Sequence, residues 1–277
     1  MIPKIPLDEW VEKGVDVLES NCAFLFQIIS DCIEGSVNAF SSFFHFFPAL
    51  LFITWITILA YYLGRWPFAV FSATGLLLVD NLGYWSHTMD TLALVMTSSL
   101  ISILIGIPLG VWCAQSEKVR NFVTPLMDFM QTMPAFVYLI PAVTFFGLGV
   151  VPGVIASVIF AVPPTIRLTN LGIRQVAEDL VEAADAFGST ATQKLFKLQF
   201  PLAMPTIMAG INQTIMLALS MVVIASMIGA QGIGADVYRA VTQIKTGQGF
   251  EAGLSIVVLA ILLDRMMQYI LKKKRSV

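Results

Sequence analysis

The feature that most constrains this chain is the recurrence of apolar stretches about 20 residues long. At that length a helix crosses the ~30 Å hydrocarbon core of a bilayer. Seven such stretches lie at roughly 46–64, 67–86, 91–114, 122–147, 150–170, 203–228 and 253–271. Hydrophobic residues make up 57% of the 277 and charged residues 12%. An ordinary soluble domain carries ~25% charge, and a globule with half of that has too little polar surface to cover itself. The expectation is an all-α polytopic membrane protein of about seven transmembrane helices. A net charge of −2 leaves no basic stripe for nucleic acid, so no nucleic-acid partner is expected. Cys22, Cys32 and Cys113 are scattered without CxxC spacing and read as small apolar fillers.

The stretch 67–86 is interrupted by Asp80 and Asn81, which leaves open a re-entrant piece instead of a span. The fourth and fifth stretches hold Pro125, Pro134, Pro141, Pro152, Pro163 and Pro164. Interior prolines break helices, and in a bilayer such breaks persist only beside protein or a watery cavity. These spans should therefore line something. Ahead of the spans, residues 7–40 mix Asp8, Glu9, Glu12, Asp16, Glu19, Asp31 and Glu34 with Trp10, Val11, Val15, Val17 and Leu18 at helical spacing. That pattern suits an amphipathic helix at the membrane interface. MIPKIPLDEW lacks a basic region followed by an apolar core, so no secretory signal is expected there.

Lys and Arg orient the spans, being retained on the cytoplasmic side. With the tail Lys272, Lys273, Lys274 and Arg275 inside, seven spans put the N-terminus outside. Arg65, Lys118, Arg120, Arg167, Arg174, Lys194, Lys197 and Arg265 join the tail inside, against Lys4, Lys13, Arg239 and Lys245 outside. The expected division is an outer or interfacial segment 1–45, accessory helices 46–90, a core 91–271 and a basic tail 272–277.

The cytoplasmic loop 171–202 is the most informative segment. Leu180, Ala183, Ala184 and Phe187 form one apolar stripe of a short helix, and Glu178, Asp179, Glu182 and Asp185 take its other faces. Glu178 and Asp179 suit the positive helix start, and Gly188 is a natural stop. A helix this short needs a surface to hold it.

Glu182-Ala183-Ala184, Gly188 after three residues, and Leu198-Gln199-Phe200-Pro201 after nine more keep the spacing of a known motif. The loop resembles that of permease subunits of binding-protein-dependent ABC importers, with Leu for Ile and Phe for Leu in the motif's Ile-x-Leu-Pro. The spans from 91 to 271 resemble the five-helix core of type I importers. Met127 to Pro141, Pro163-Pro164-Thr165-Ile166-Arg167 and Asn212-Gln213-Thr214-Ile215-Met216 are similar to the permeases for glycine betaine, proline betaine and related osmoprotectants.

The resemblance implies a bacterial plasma-membrane complex. Two ATPase subunits would carry ATP and Mg, a second permease copy would complete the pathway as a homodimer, and an extracellular or lipid-anchored binding protein would deliver substrate. This chain has no G-x-x-x-x-G-K-[ST] loop, so no cofactor and no catalytic residue of its own is expected. The residues expected to couple to the ATPase are Glu178, Asp179, Glu182, Ala183, Ala184, Gly188 and Pro201. Those expected along the path are Gln131, Thr132, Met133, Phe136, Tyr138, Asn212, Gln213 and Thr214.

Asp128, Arg167, Asp264 and Arg265 are expected as interfacial pairs or docking contacts. His45 and His87 are read as interfacial side chains without a carboxylate at metal-ligand spacing. Gly106 and Gly110 permit close helix approach and carry a weak dimer signal, and the outer loop 229–234 is expected to be polar and flexible. The competing reading is an ion-coupled secondary transporter of small zwitterions. Such carriers often show inverted repeats, and this chain shows none.

Overall fold

The computed structural model describes residues 6–275. Lys4 lies outside them, as do the side chains of Asp8, Val11 and the tail cations Lys272, Lys273, Lys274 and Arg275. Among the described residues every regular element is a helix. In hydrocarbon a helix satisfies its own backbone polar groups, which an open strand cannot do.

The chain opens with α1 (Leu7–Phe46), which 40 residues make ~60 Å long. Then come α2 (Ala49–Asn81) and α3 (Trp85–Gln115). A broken pair follows, α4 (Glu117–Thr132) and α5 (Ala135–Phe146), and then α6 (Val150–Arg174). The short α7 (Glu178–Ala186) and α8 (Ala191–Lys194) lead through a π-helical turn, Leu195–Gln199, into α9 (Phe200–Ser220). α10 (Val222–Ser226), α11 (Ile233–Thr242) and α12 (Thr246–Arg275) complete the fold.

Five of these stretches are long and apolar enough to cross a membrane, and the α4–α5 pair, bent by 100°, makes a sixth if it counts as one span. Counted as two arms of α2, with the bent pair as one, the helices answer to the seven expected stretches. The stretches 46–64 and 67–86 are both carried by α2, which breaks at Arg65 with φ 60° and ψ −160° just ahead of Pro67. A straight helix of 33 residues would hold its ends ~50 Å apart. Yet the ring of Phe52, near the start of α2, sits 5.7 Å from that of Trp85, four residues past its end. The two arms therefore fold back, each ~24 Å long.

The centre of the bundle is α3, α6 and α9. Most of the apolar window of α6, 67%, lies inside protein, against 22% for α2 and 28% for α12, so α6 is the axis and the other two face lipid. Ser98, Ser102, Gly106 and Gly110 form a buried, side-chain-poor ridge on α3. A Cβ on Gly106 would stand 2.7 Å from Thr165, and one on Gly110 2.5 Å from Thr169 and 2.8 Å from the Ile166 carbonyl. The GxxxG pair thus serves packing within the chain. Pro163 and Pro164 lie buried in a continuous α6, met by protein rather than by a cavity. On the far side Gly210 of α9 meets the backbone of Pro164 and Thr165. The Thr165 and Thr214 hydroxyls are 2.7 Å apart, and Thr214 Oγ1 donates to the Ala161 carbonyl at 2.8 Å.

The loop 229–234, expected to be flexible, is wedged instead. Ala230 and Ile233 are buried, Gly232 presses on Thr91, and the Ile233 amide donates to Thr91 Oγ1 at 2.9 Å. The second half of α1 lies against the bundle, with Ile33 and Val37 buried and Phe26 stacked on Phe145 at 4.6 Å.

Gly110→Val should force α3 away from α6 and cost about 1–3 kcal/mol, seen as a lowered melting temperature in detergent. At the exposed Gly35 an added Cβ meets nothing within 4 Å. There Gly35→Ala should instead add about 1 kcal/mol through helix propensity.

Candidate functional site

No residue of α7 is buried. Leu180 is 46% exposed and Phe187 91%, so the stripe Leu180, Ala183, Ala184 and Phe187 is left uncovered by the chain's own membrane helices. Glu178, Asp179, Glu182 and Ala183 are likewise exposed and Ala184 is half-buried. The helix ends at Gly188, whose φ of 74° suits glycine. The Gly188 amide donates to the Asp185 carbonyl at 2.9 Å and the Ser189 amide to the Ala184 carbonyl at 3.0 Å.

Two devices then fix the direction of α7. Lys194 Nζ reaches both oxygens of Asp185 at 2.7 Å. Thr190 and Gln193 cap α8 reciprocally, with the Gln193 amide donating to Thr190 Oγ1 at 3.3 Å and the Thr190 amide to Gln193 Oε1 at 3.0 Å. Leu195 buries into the cluster of Ile173, Ala203 and Ile207, and Pro201 enters the first turn of α9. The result is a short acidic rod with an open apolar edge, tied through one buried leucine to the centre of the bundle. Chemically it suits an apolar pocket rimmed by basic or amide groups. The Asp185–Lys194 strut went unnoticed in the sequence, although an acid and a lysine nine residues apart across a glycine stop are its signal.

The expected path residues do not form one surface. α4 and α5 meet at Pro134, which has no N–H for the Met130 carbonyl. The buried Tyr138 hydroxyl donates to that carbonyl, so Tyr138 braces the break. Arg167 of α6 donates to Gln131 Oε1 and to Asp128 Oδ1, each at 2.5 Å, which pins α4 across α6. Thr132 Oγ1 donates back to Phe129 at 3.3 Å. Met133 packs beside Tyr138, while Phe136 is 52% exposed.

Asn212, Gln213 and Thr214 point three ways, as successive residues of a helix must. Asn212 Nδ2 donates to Asp264 Oδ1 on α12 at 2.8 Å, Thr214 is buried against α6, and Gln213 is exposed. Of the expected pairs, Asp128 and Arg167 do meet. Asp264 instead holds Asn212 and Gln268, and Arg265 reaches Gln268 at 3.3 Å.

At the opposite end the histidines have carboxylate neighbours that spacing could not show. His87 Nδ1 is 2.5 Å from Asp236 Oδ2, and Arg239 flanks the same carboxylate at 3.4 Å. His45 Nε2 is 3.1 Å from Ser86 Oγ and 3.8 Å from Asp90. Among the described residues no group of three or more His, Cys, Asp or Glu gathers as a metal site. Burial, and then the Asp236 and Glu251 carboxylates, push the Tyr84 phenol above its ordinary value.

A family profile described as "Binding-protein-dependent transport system inner membrane component" matches residues 106–276. The chain is 54% identical to the glycine betaine transport system permease protein OpuAB of Bacillus subtilis strain 168, over 99% of this chain and 98% of that one. It is 56% identical to the glycine betaine/carnitine transport permease protein GbuB of Listeria monocytogenes serotype 1/2a, over 99% of both. Among solved structures it is similar in fold to a chain of the MetNI methionine ABC transporter in an inward-facing conformation. There the TM-score is 0.64 at 19% identity, over 69% of this chain and 95% of that one.

Tyr138→Phe keeps the ring but orphans the Met130 carbonyl, and should cost about 1–3 kcal/mol in a thermal melt. Thr132→Ala, at an exposed site, should stay within about 0.5 kcal/mol.

Proposed function

This chain belongs to the family of binding-protein-dependent transport system inner membrane components, and on that premise we propose that it is the membrane-spanning subunit of an ATP-driven importer of glycine betaine or a closely related quaternary-ammonium osmoprotectant. The observation that carries the coupling half of this reading is α7, with Phe187 91% exposed and no covering surface of its own. Two ATPase subunits, holding ATP and Mg, grip that helix in each of two permease copies from the cytoplasm. The tail lies on the same side and the N-terminus outside. A separate binding protein delivers substrate to the outer face.

Nucleotide-driven closure of the ATPases moves the rod, and the strut, cap and buried Leu195 pass that motion to α9 as a rigid body. Glu178, Asp179 and Glu182 offer carboxylates to the partner and Ala183, Ala184 and Phe187 the apolar edge; Gly188 and Pro201 shape the connection. The substrate's quaternary nitrogen donates no hydrogen bond, so tight holding falls to aromatic faces on the binding protein. The permease needs only weak contacts along the path. Thr132, Phe136 and Gln213, which are exposed, suit that role better than Tyr138, Asn212 and Thr214, which are engaged within the chain.

In vesicles holding the chain, its ATPase and its binding protein, uptake of labelled glycine betaine should require ATP on the cytoplasmic side and stop when the ATPase is left out. Uptake that follows an ion gradient without the ATPase would overturn the reading. Glu182→Lys and Gly188→Val should insert normally yet lower uptake by about tenfold or more, the kinetic equivalent of ~1.4 kcal/mol. Phe187→Ala should weaken ATPase retention to a similar degree, as loss of an aromatic anchor does.

A further inference from the structure

A groove of about 650 Å³ opens between α3, α4 and α6, and its lining includes no residue of α7 and none of those assigned to the path. One wall is the apolar stripe of α4: Val119, Phe122, Val123 and Leu126, at i, i+3, i+4 and i+7. Phe122 is 76% exposed and Leu126 49%, so among the described residues nothing covers the outer edge of the stripe, while Val123 is buried in a cluster with Val162 and Ile166. The opposite walls run from Ile105 to Trp112 on α3 and from Val158 to Ile166 on α6. Those lengths are ~10 and ~12 Å along the helix axes. One leaflet of hydrocarbon is ~15 Å deep. The groove therefore covers most of the depth of a single leaflet.

Its polar end is equally specific. Lys118 is the one charged residue lining it. The neighbouring cations are engaged: Arg120 and Arg174 both hold Glu117, and Arg167 holds Asp128. Lys118 forms no ion pair among the described residues. Trp112, 57% exposed, stands at the same end, where an indole suits the headgroup level.

The obliquity of α4 explains why the groove exists. Glu117 meets Arg174 and Asp128 meets Arg167, so eleven residues of α4 cross seven of α6. A helix tilted in this way leaves a wedge beside α3.

We propose that this wedge binds one anionic phospholipid of the leaflet at the α3–α4 turn, with an acyl chain along the α4 stripe and the headgroup phosphate on Lys118. An unpaired ammonium at the mouth of an apolar slot most of a leaflet deep matches that molecule in both charge and length. A neutral lipid would leave the ammonium unmatched, and a covering protein helix would have to bring an acid to the same spot.

The test uses the full chain in its assembled transporter, with Trp10, Trp55, Trp66 and Trp85 replaced by Phe so that Trp112 is this chain's single tryptophan, and the signal of a matched Trp112→Phe assembly is subtracted. Brominated phosphatidylglycerol and brominated phosphatidylcholine are titrated separately into phosphatidylcholine vesicles, and quenching of Trp112 is followed. The expected result is half-maximal quenching at a several-fold lower mole fraction of the glycerol lipid, with Lys118→Ala erasing the difference and leaving the choline-lipid curve in place. Equal curves in the unsubstituted-Lys118 protein would mean unselective annular lipid and would overturn the proposal. Absence of quenching by either lipid would show the groove covered by a second copy of the chain, and would overturn it as well. If the four-Phe protein fails to assemble, phosphatidylglycerol retained by the native-tryptophan transporter after detergent exchange is measured by mass spectrometry with and without Lys118→Ala. Equal retention overturns the proposal there. The readout is lipid contact, so failure here leaves the importer reading intact, and failure of that reading leaves the groove to be judged by the same experiment.

Discussion

Close approach of α3 and α9 to α6 is the interaction on which the rest of the architecture depends. Inside a bilayer, apolar side chains gain little by leaving lipid for each other, so helices are held by tight van der Waals packing and hydrogen bonds. The chain meets that condition with Gly106 and Gly110 on one side of α6, Gly210 on the other, and the Thr165–Thr214 hydroxyl pair between. The peripheral elements are hung on this centre. α7 reaches it through Leu195, and α4 through the Arg167 contacts with Asp128 and Gln131. The loop 229–234 joins it through Thr91, which accepts from the Ile233 amide.

Much of this was legible in the amino acids, and for identifiable reasons. The rod 178–188 could be bounded because three local rules agree there: acids at the start, an apolar stripe at helical spacing and a glycine at the stop. The break in the fourth stretch could be narrowed to its prolines because proline deletes a donor wherever it stands, although Pro125 and Pro141 lie inside α4 and α5 and only Pro134 marks the break. The fold-back of α2 was not legible in that way. Its pivot is Arg65 at positive φ, a conformation that sequence rules assign to glycine, and Gly64 lies one residue too early.

The candidate path shows a different limit. Asn212, Gln213 and Thr214 were grouped because they are adjacent and polar, but a helix turns 100° per residue and sends each to a different neighbour. That separation was available from helical geometry; which helix stood at each azimuth was not. The histidines illustrate the same point. His87 finds Asp236 across 149 positions, a distance over which spacing carries no information. Side chains that hold the molecule together and side chains free to meet something else look alike in a string of letters, and only the neighbours sort them.

The π-helical turn at Leu195–Gln199 has a further consequence. Its closure of Phe200 onto the Leu195 carbonyl spans five residues, one more than an ordinary helical turn consumes. That surplus residue acts as a phase shifter in the crankshaft between rod and bundle. The azimuth of the rod is offset by that residue, while the faces of α9 that carry Asn212 and Thr214 keep their own alignment. Evolution could retime one end of such a shaft by adding or removing a single residue at this coupling, without re-machining the other.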